Sequence, residues 1–252
     1  MSDAGVSRAP LGGASPTEEP ITISSAMLAR PEVDDPDRGR VDFEDGMTYA
    51  PAVTLSLIVT LVAVFAWELS TRALGSREAI IGAGALVRDR VLGGEVWRLG
   101  SAAFLHGGPD HLIGNCISLY ILGMACEHAV GARRMLTLFA VGALGGALLS
   151  VAMSPGPSVG ASGAIFGIMG AVVVTLHRHR EQFVLRDTRI AVVVAVWAAY
   201  TLFLGALQPM IDNAAHLGGL LAGAVAAFGM PLSDRFRRER LRRAAVGTRR
   251  VR

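Results

Sequence analysis

The sequence contains no lysine and only two cysteines, and charged residues make up just 18% of its 252 positions. This scarcity of charge, together with 52% hydrophobic residues and a mean hydropathy of +0.45, excludes an ordinary soluble domain and indicates a membrane protein. Cys116 and Cys126 would lie about 15 Å apart on one predicted helix, at ~1.5 Å per residue. That separation excludes an intrachain disulfide.

Apolar runs of membrane-spanning length fill the middle of the chain. A helix needs about 20 apolar residues to cross about 30 Å of hydrocarbon. Six runs come close to or reach this length, and they cover residues 51–69, 111–130, 134–153, 162–176, 189–207 and 214–232. They predict an all-α membrane protein built as a bundle of six transmembrane helices, numbered here as predicted spans 1 to 6.

Composition divides the chain into three parts. Residues 1–48 contain ten acidic residues against four arginines and no sustained apolar period, which predicts a disordered extension. Residues 49–232 form the predicted six-helix membrane domain, and residues 233–252 form a basic tail with nine of the 24 arginines. The net charge of +3 does not indicate a nucleic-acid partner, because the arginines are concentrated beside a predicted span.

The distribution of arginines predicts the orientation in the membrane. Arginines follow predicted spans 2, 4 and 6, and the positive-inside rule places these three segments in the cytoplasm. The loop of residues 72–109 also holds five arginines, but three acids accompany them. We therefore expect a multi-pass protein of the plasma membrane with both termini cytoplasmic, and the starts of spans 2, 4 and 6 at the outer end.

Span 4 is the shortest run, and it begins with a serine in the sequence Gly160-Ala161-Ser162-Gly163. At ~1.5 Å per residue it covers about 22 Å, less than the hydrocarbon thickness of about 30 Å. Its outer end is therefore expected below the membrane surface, in a recess that water can reach. A serine in such a place commonly caps the helix. Spans 2 and 6 carry polar residues at the same end, however, and together with the serine these favour a catalytic site.

His216, near the start of span 6, is the candidate general base. A serine hydroxyl is a weak nucleophile without a neighbouring base, and histidine, with a pKa near 6.5, is the usual one. The alternative is a histidine that is simply hydrogen-bonded inside the bundle. Phe166 shares the helix face of Ser162 and is placed to pack on the imidazole.

Small residues predict close contact between spans 4 and 6. Glycines four residues apart allow the backbones of membrane helices to approach each other closely. The spacing occurs on both spans, at Gly163, Gly167, Gly219 and Gly223. This packing would bring His216 within reach of Ser162.

Span 2 supplies candidate hydrogen-bond donors. His111 and Asn115 are four residues apart, so their side chains lie on one face of the helix. Acyl transfer requires donors directed at the developing oxyanion, and the backbone N–H of Ser162, free at a helix start, would be a third. The alternative for Asn115 is a hydrogen bond between helices.

Other polar residues are expected to have structural roles. Two carboxylates, Asp110 before span 2 and Asp212 before span 6, are candidates for a third catalytic residue, but Asp212 or Asn213 is more simply the cap of span 6. Glu127, at the inner end of span 2, is expected to meet water or an arginine. His106 is expected to shape the outer loop, and Trp97 and Arg98 suit the membrane interface.

These residues resemble the rhomboid family of intramembrane serine proteases, in its bacterial six-helix form. The resemblance spans about residues 52–230 and is specific because separate motifs occur in the family's order. The matching stretches are Trp97-Arg98-Leu99, Phe104-Leu105-His106, His111-Leu112 with Asn115, Gly160-x-Ser162-Gly163-x-x-x-Gly167, and Ala215-His216-x-x-Gly219-x-x-x-Gly223.

The resemblance implies a serine endopeptidase that cleaves transmembrane segments of other proteins, with no metal or cofactor. It implies Ser162 as nucleophile, His216 as general base, and His111 with Asn115 at the oxyanion. One alternative is a non-catalytic relative that binds membrane segments, although such relatives typically lack the serine or the histidine. A transporter or channel would carry charges within the spans, which are nearly free of them here.

Overall fold

The computed structural model describes residues 40–154, 156–184 and 211–249, together with six residues between positions 194 and 203. Two short parallel strands, β1 (Val41–Asp42) and β2 (Phe183–Val184), pair with each other. The described helices are α1 (Ala52–Ser70), α2 (Arg77–Ala83), α3 (Arg88–Leu92), α4 (Arg98–Ser101), α5 (Pro109–Val130), α6 (Ala132–Met153), α7 (Ser162–Arg178), α8 (Asn213–Phe228) and α9 (Asp234–Arg249). A 3-10 turn at Ala73–Gly75 follows α1.

Predicted spans 1, 2, 3, 4 and 6 coincide with α1, α5, α6, α7 and α8. Among the described residues, α1, α5 and α6 are long and apolar enough to cross a membrane, whereas α7 and α8 are apolar but shorter. Span 6 was predicted to continue to residue 232, but α8 ends at Phe228. Gly229 and the nearby Pro231 account for the earlier end, since both residues terminate helices. Span 5, residues 189–207, lies mostly outside the described residues.

Helix α7 lies at the centre of the bundle, because it contacts α5, α6 and α8. Twelve of its 17 residues are buried. A helix that is buried on most of its circumference must be apolar all round, and α7 has no charged residue before Arg178. The nucleophile candidate Ser162 is therefore the first residue of the most enclosed helix.

Glycines bring the backbones of α6, α7 and α8 into direct contact. A side chain at Gly219 would overlap the carbonyl oxygen of Gly163, and one at Gly223 would overlap that of Gly167. Helix α6 joins the same contact, since a Cβ at Gly142 would lie 2.9 Å from the Cα of Gly167. The spacing of the glycines in α7 and α8 predicted a contact between these two helices, but the participation of α6 was not predicted.

The segment between α1 and α5 folds around Arg98. This side chain is buried and donates hydrogen bonds to the carbonyl oxygens of Ile81 at 2.6 Å and Ala85 at 2.9 Å, and to the carboxylate of Glu95 at 2.7 Å. The donors of Arg98 are thus used to hold this loop together. Trp97 beside it is half exposed.

The same segment is tied to the chain just before α7. Leu86 and Ser158 exchange two backbone hydrogen bonds of 2.9 Å, and the N–H of Gly160 donates to the carbonyl of Ala102 at 2.9 Å. These bonds connect the loop to the stretch that precedes Ser162. The backbone leading into the candidate nucleophile is therefore supported from outside its own helix.

Residues 40–48 fall within the predicted disordered extension, but Val41 and Phe43 are buried. Phe43 stacks on Phe236 of α9, with ring centroids 5.8 Å apart, and packs edge-on against Phe183. Its carbonyl oxygen lies 2.7 Å from Nε2 of His128. Apolar side chains of the segment before residue 48 therefore take part in the core. Residues 1–39 lie outside the described part.

Candidate active site

The side chains of Ser162 and His216 are in hydrogen-bonding contact, with Oγ and Nε2 separated by 2.9 Å. Ser162 begins α7, and His216 lies in the first turns of α8. The glycine contact between these helices allows the two short polar side chains to meet. A neutral imidazole with its hydrogen on Nδ1 would accept the serine proton at Nε2.

The other ring nitrogen of His216, Nδ1, has no hydrogen-bond partner among the described residues. The ring is oriented instead by Phe166, which stacks on it with centroids 4.4 Å apart and planes 6° from parallel. Offset stacking of this kind fixes a ring plane without a polar contact. The arrangement pairs a hydroxyl with an imidazole whose face is covered by an aromatic ring, and no carboxylate of the described residues bonds Nδ1 as it would in a triad.

Asp212 is the N-cap of α8, as expected. Its carboxylate accepts a hydrogen bond of 3.0 Å from the N–H of Ala215, one of 2.6 Å from the hydroxyl of Ser154, and one from the hydroxyl of Ser150. Burial acts to raise the pKa of Asp212, but these hydrogen bonds outweigh it and hold the pKa below its usual value. The carboxylate is thus ionised, and its hydrogen bonds connect the end of α6 to the start of α8.

His111 and Asn115 face the backbone immediately before the serine. Gly160 has a φ of +126°, a conformation that favours glycine, and a Cβ there would lie 2.8 Å from Nε2 of His111 and 3.5 Å from Nδ2 of Asn115. Ser162 follows two residues later, and its N–H lies in the first turn of α7, where backbone donors have no partner within the helix. The side chains predicted on α5 therefore lie against the backbone two residues before Ser162.

The side chain of Asn115 is held by His106, which is held in turn by Glu68. Its Nδ2 lies 3.1 Å from Nε2 of His106, and the backbone N–H of His106 donates to both carboxylate oxygens of Glu68 at 3.1 Å. Burial lowers the pKa of His106 to about 4, so its ring is neutral near pH 7. Glu68 was not predicted as a site residue, although a lone carboxylate in an apolar span is a recognisable signal.

Glu127 has a different role from the one expected of it. Its carboxylate accepts hydrogen bonds from the N–H groups of Val53 at 3.1 Å and Thr54 at 2.9 Å, and from the Thr54 hydroxyl at 2.9 Å. The expectation of water or an arginine was wrong because the start of α1 presents backbone donors without partners. Glu127 caps α1 across the bundle, at the opposite end of α5 from Asn115.

Within the described ranges, no group of three or more histidine, cysteine, aspartate or glutamate side chains is arranged to hold a metal ion. The chemistry available at this site is that of a hydroxyl, an imidazole and several hydrogen-bond donors.

The comparisons with known proteins agree on one family. A family model described as the Rhomboid domain matches residues 93–232. Among similar proteins, Rhomboid protease GluP of Bacillus subtilis (strain 168) is 36% identical over 162 residues, which is 63% of this chain and 31% of GluP. RHOMBOID-like protein 5 of Arabidopsis thaliana is 40% identical over 156 residues, 61% of this chain and 50% of that protein.

Rhomboid protease AarA of Providencia stuartii is 32% identical over 209 residues, which is 70% of this chain and 71% of AarA. The chain thus spans half or less of GluP and RHOMBOID-like protein 5, but more than two thirds of AarA. The family match covers more than half of this chain and includes α5 to α8. With its apolar helices, the chain is an integral membrane protein and belongs to the rhomboid family.

Proposed function

We propose that this protein is an intramembrane serine endopeptidase that hydrolyses peptide bonds in transmembrane segments of other membrane proteins. The observation that supports this most directly is the 2.9 Å contact between Ser162 Oγ and His216 Nε2. Two of the similar proteins, GluP and AarA, are named rhomboid proteases. RHOMBOID-like protein 5 is not named as a protease, so the proposal depends on the residues of this site.

In the proposed reaction, His216 removes the proton of Ser162 as Oγ attacks the scissile carbonyl carbon. The C=O π electrons move to oxygen, and a tetrahedral oxyanion forms. The imidazolium then gives its proton to the leaving amine nitrogen as the C–N bond breaks, leaving an acyl-serine. Water, deprotonated by the same histidine, hydrolyses this ester and restores the Ser162 hydroxyl.

The oxyanion would be stabilised by donors from two helices. His111 and the amide of Asn115 lie on one side of Gly160, and the backbone N–H of Ser162 lies at the start of α7. Each preorganised donor of this kind lowers the barrier by about 3 kcal/mol. The exposed position of His111 leaves its ring accessible to a substrate.

The short central helix supports the proposed membrane setting. At ~1.5 Å per residue, the 17 residues of α7 cover about 25 Å, which is less than the hydrocarbon thickness of about 30 Å. We propose that the Ser162 end opens into an outward-facing, hydrated recess in a six-helix bundle of the plasma membrane. Both termini would be cytoplasmic, and the substrates would be transmembrane proteins that reach the site from the lipid bilayer. No metal or cofactor takes part in the proposed reaction.

The test is cleavage of a model transmembrane substrate by the purified protein in proteoliposomes. Ser162→Ala and His216→Ala should each abolish cleavage. Ser118→Ala in α5 and His177→Ala at the exposed end of α7 are matched controls, and both should retain it. A serine-directed fluorophosphonate should label the wild type and not Ser162→Ala. Substrate binding without cleavage or labelling in the wild type would instead favour the non-catalytic relative.

A further inference from the structure

Glu68 is the only charged residue in the 19 residues of α1, and it is fully buried near the end of that helix. Burying a carboxylate in an apolar span costs free energy unless hydrogen bonds compensate for the lost water. An apolar residue at this position would avoid that cost. The interactions of Glu68 with the loop before α5 indicate what the carboxylate does.

Both carboxylate oxygens of Glu68 accept the backbone N–H of His106, each at 3.1 Å. His106 lies in the short stretch between α4 and α5, so its N–H has no carbonyl of a regular helix to pair with. A hydrogen bond to a charged acceptor is about twice as strong as a neutral one. Glu68 therefore fixes the backbone at the position from which the buried His106 ring projects.

The ring of His106 in turn fixes the amide of Asn115. Its Nδ1 lies 3.3 Å from the carbonyl oxygen of Phe104, which can only accept, so Nδ1 carries the hydrogen. Nε2 then has a free lone pair, and it accepts from Nδ2 of Asn115 at 3.1 Å. This bond distinguishes the two ends of the amide, which otherwise have nearly the same shape. The nitrogen end is therefore held at the site, and the second N–H remains for another acceptor.

We infer that Glu68 is a positioning residue of the proposed oxyanion site: it holds His106, and His106 holds Asn115 with its amide nitrogen toward Gly160 and Ser162. The inference rests on the proposed protease function of that site. Glu68 itself does not touch substrate. Its effect on the reaction passes through two hydrogen-bonding steps, from α1 to the loop and from the loop to α5.

Glu68→Gln tests this chain of contacts in the full-length protein, assayed with a transmembrane substrate in proteoliposomes. Glutamine keeps the shape, but it has one acceptor oxygen and an NH₂ group with no acceptor opposite it. We expect kcat to fall about 10- to 100-fold, because one oxyanion donor is worth that order or more. KM should stay within about twofold, since the loss is confined to the transition state.

Glu127→Gln is the matched control, because Glu127 is also a carboxylate that accepts from backbone N–H groups, those of Val53 and Thr54, but at the other end of α1. It should lower thermal stability by a similar amount and leave kcat within about threefold of wild type. A carboxylate that only fastens a loop would behave in the same way at both positions. The kcat difference between the two variants therefore separates positioning from general stabilisation.

His106→Phe is a second route to the same test if Glu68→Gln does not fold, because it keeps a ring and removes the Nε2 acceptor. In an Asn115→Ala background, either Glu68→Gln or His106→Phe should reduce kcat by less than about threefold further. Two results would overturn this inference while leaving the proposed protease function intact. One is full additivity of either substitution with Asn115→Ala, and the other is a normal kcat in a folded Glu68→Gln protein that labels at Ser162. A wild type that neither cleaves nor labels would overturn the proposed function and this inference together.

Discussion

The ring of Phe166 lies parallel to the imidazole of His216, 4.4 Å away, while Nδ1 of that imidazole has no hydrogen-bond partner among the described residues. Both rings are buried at the contact between α7 and α8. The aromatic face can restrict rotation of the imidazole but cannot stabilise its positive charge as a carboxylate would. This relationship leads to a different set of mutational effects from that of a Ser-His-Asp triad.

Phe166→Ala should lower kcat by at least about tenfold, because a freely rotating imidazole spends less time in reach of Ser162 and misplacement by about 1 Å can cost a hundredfold. Phe166→Leu, which fills space without a flat face, should recover stability more than rate. Steady-state cleavage and thermal unfolding of both variants provide the comparison. Equal rates for Phe166→Ala and wild type would mean that stacking does not orient the base.

Asp212→Asn and Asp110→Asn should each reduce the rate by less than about tenfold, whereas loss of a true triad carboxylate costs about ten-thousandfold. Asparagine can still accept the N–H of Ala215, so the cap of α8 is preserved. Asp212→Ala removes the cap and should lower the free energy of unfolding by about 1 kcal/mol. A collapse of activity in a folded Asp212→Asn protein would make the enzyme a triad.

Ser162→Ala and His216→Ala should not be additive, because removal of either leaves the other without a reaction to assist. The double variant should retain the same residual rate as each single one. Helical content and thermal unfolding should remain near wild type, since both side chains lie at the helix starts. A double variant much slower than either single variant would show that the two residues do not act as one unit.

Gly219→Ala should reduce activity and stability together, because its Cβ would overlap the carbonyl oxygen of Gly163 and separate α8 from α7. Gly114→Ala is the matched control, since a Cβ at Gly114 meets nothing within 4 Å. It should be neutral or slightly stabilising, because alanine is a better helix former than glycine by about 1 kcal/mol. Cleavage rates that change equally in the two variants would contradict the packing assignment.

Phe43→Ala should destabilise the protein by about 3 kcal/mol or more, as expected for a buried phenylalanine that contacts several rings. Tyr49→Ala nearby is the control, because that side chain is 83% exposed. Thermal unfolding of the two variants measures the difference. Unchanged unfolding in Phe43→Ala would show that the segment before α1 contributes nothing to the fold.

Periodicity and apolar length were sufficient to predict α1, α5, α6, α7 and α8, because membrane helices are selected by local hydrophobicity. The shortness of α7 and the polar residues at the starts of spans 2, 4 and 6 were also visible in the sequence. These features alone point to Ser162, His216, His111 and Asn115. The glycine spacing indicated which helices would meet.

Only the tertiary structure decided which partner each buried polar group has. Glu68 and Glu127 look alike in sequence, each an acid near the end of an apolar helix, yet one holds the loop at His106 and the other caps α1. Neither the burial of Arg98 nor the place of Phe43 in the core could be predicted from local pattern. These outcomes depend on hydrogen bonds and contacts between residues far apart in the chain, and local pattern contains no information on which distant backbone donors will be left without partners.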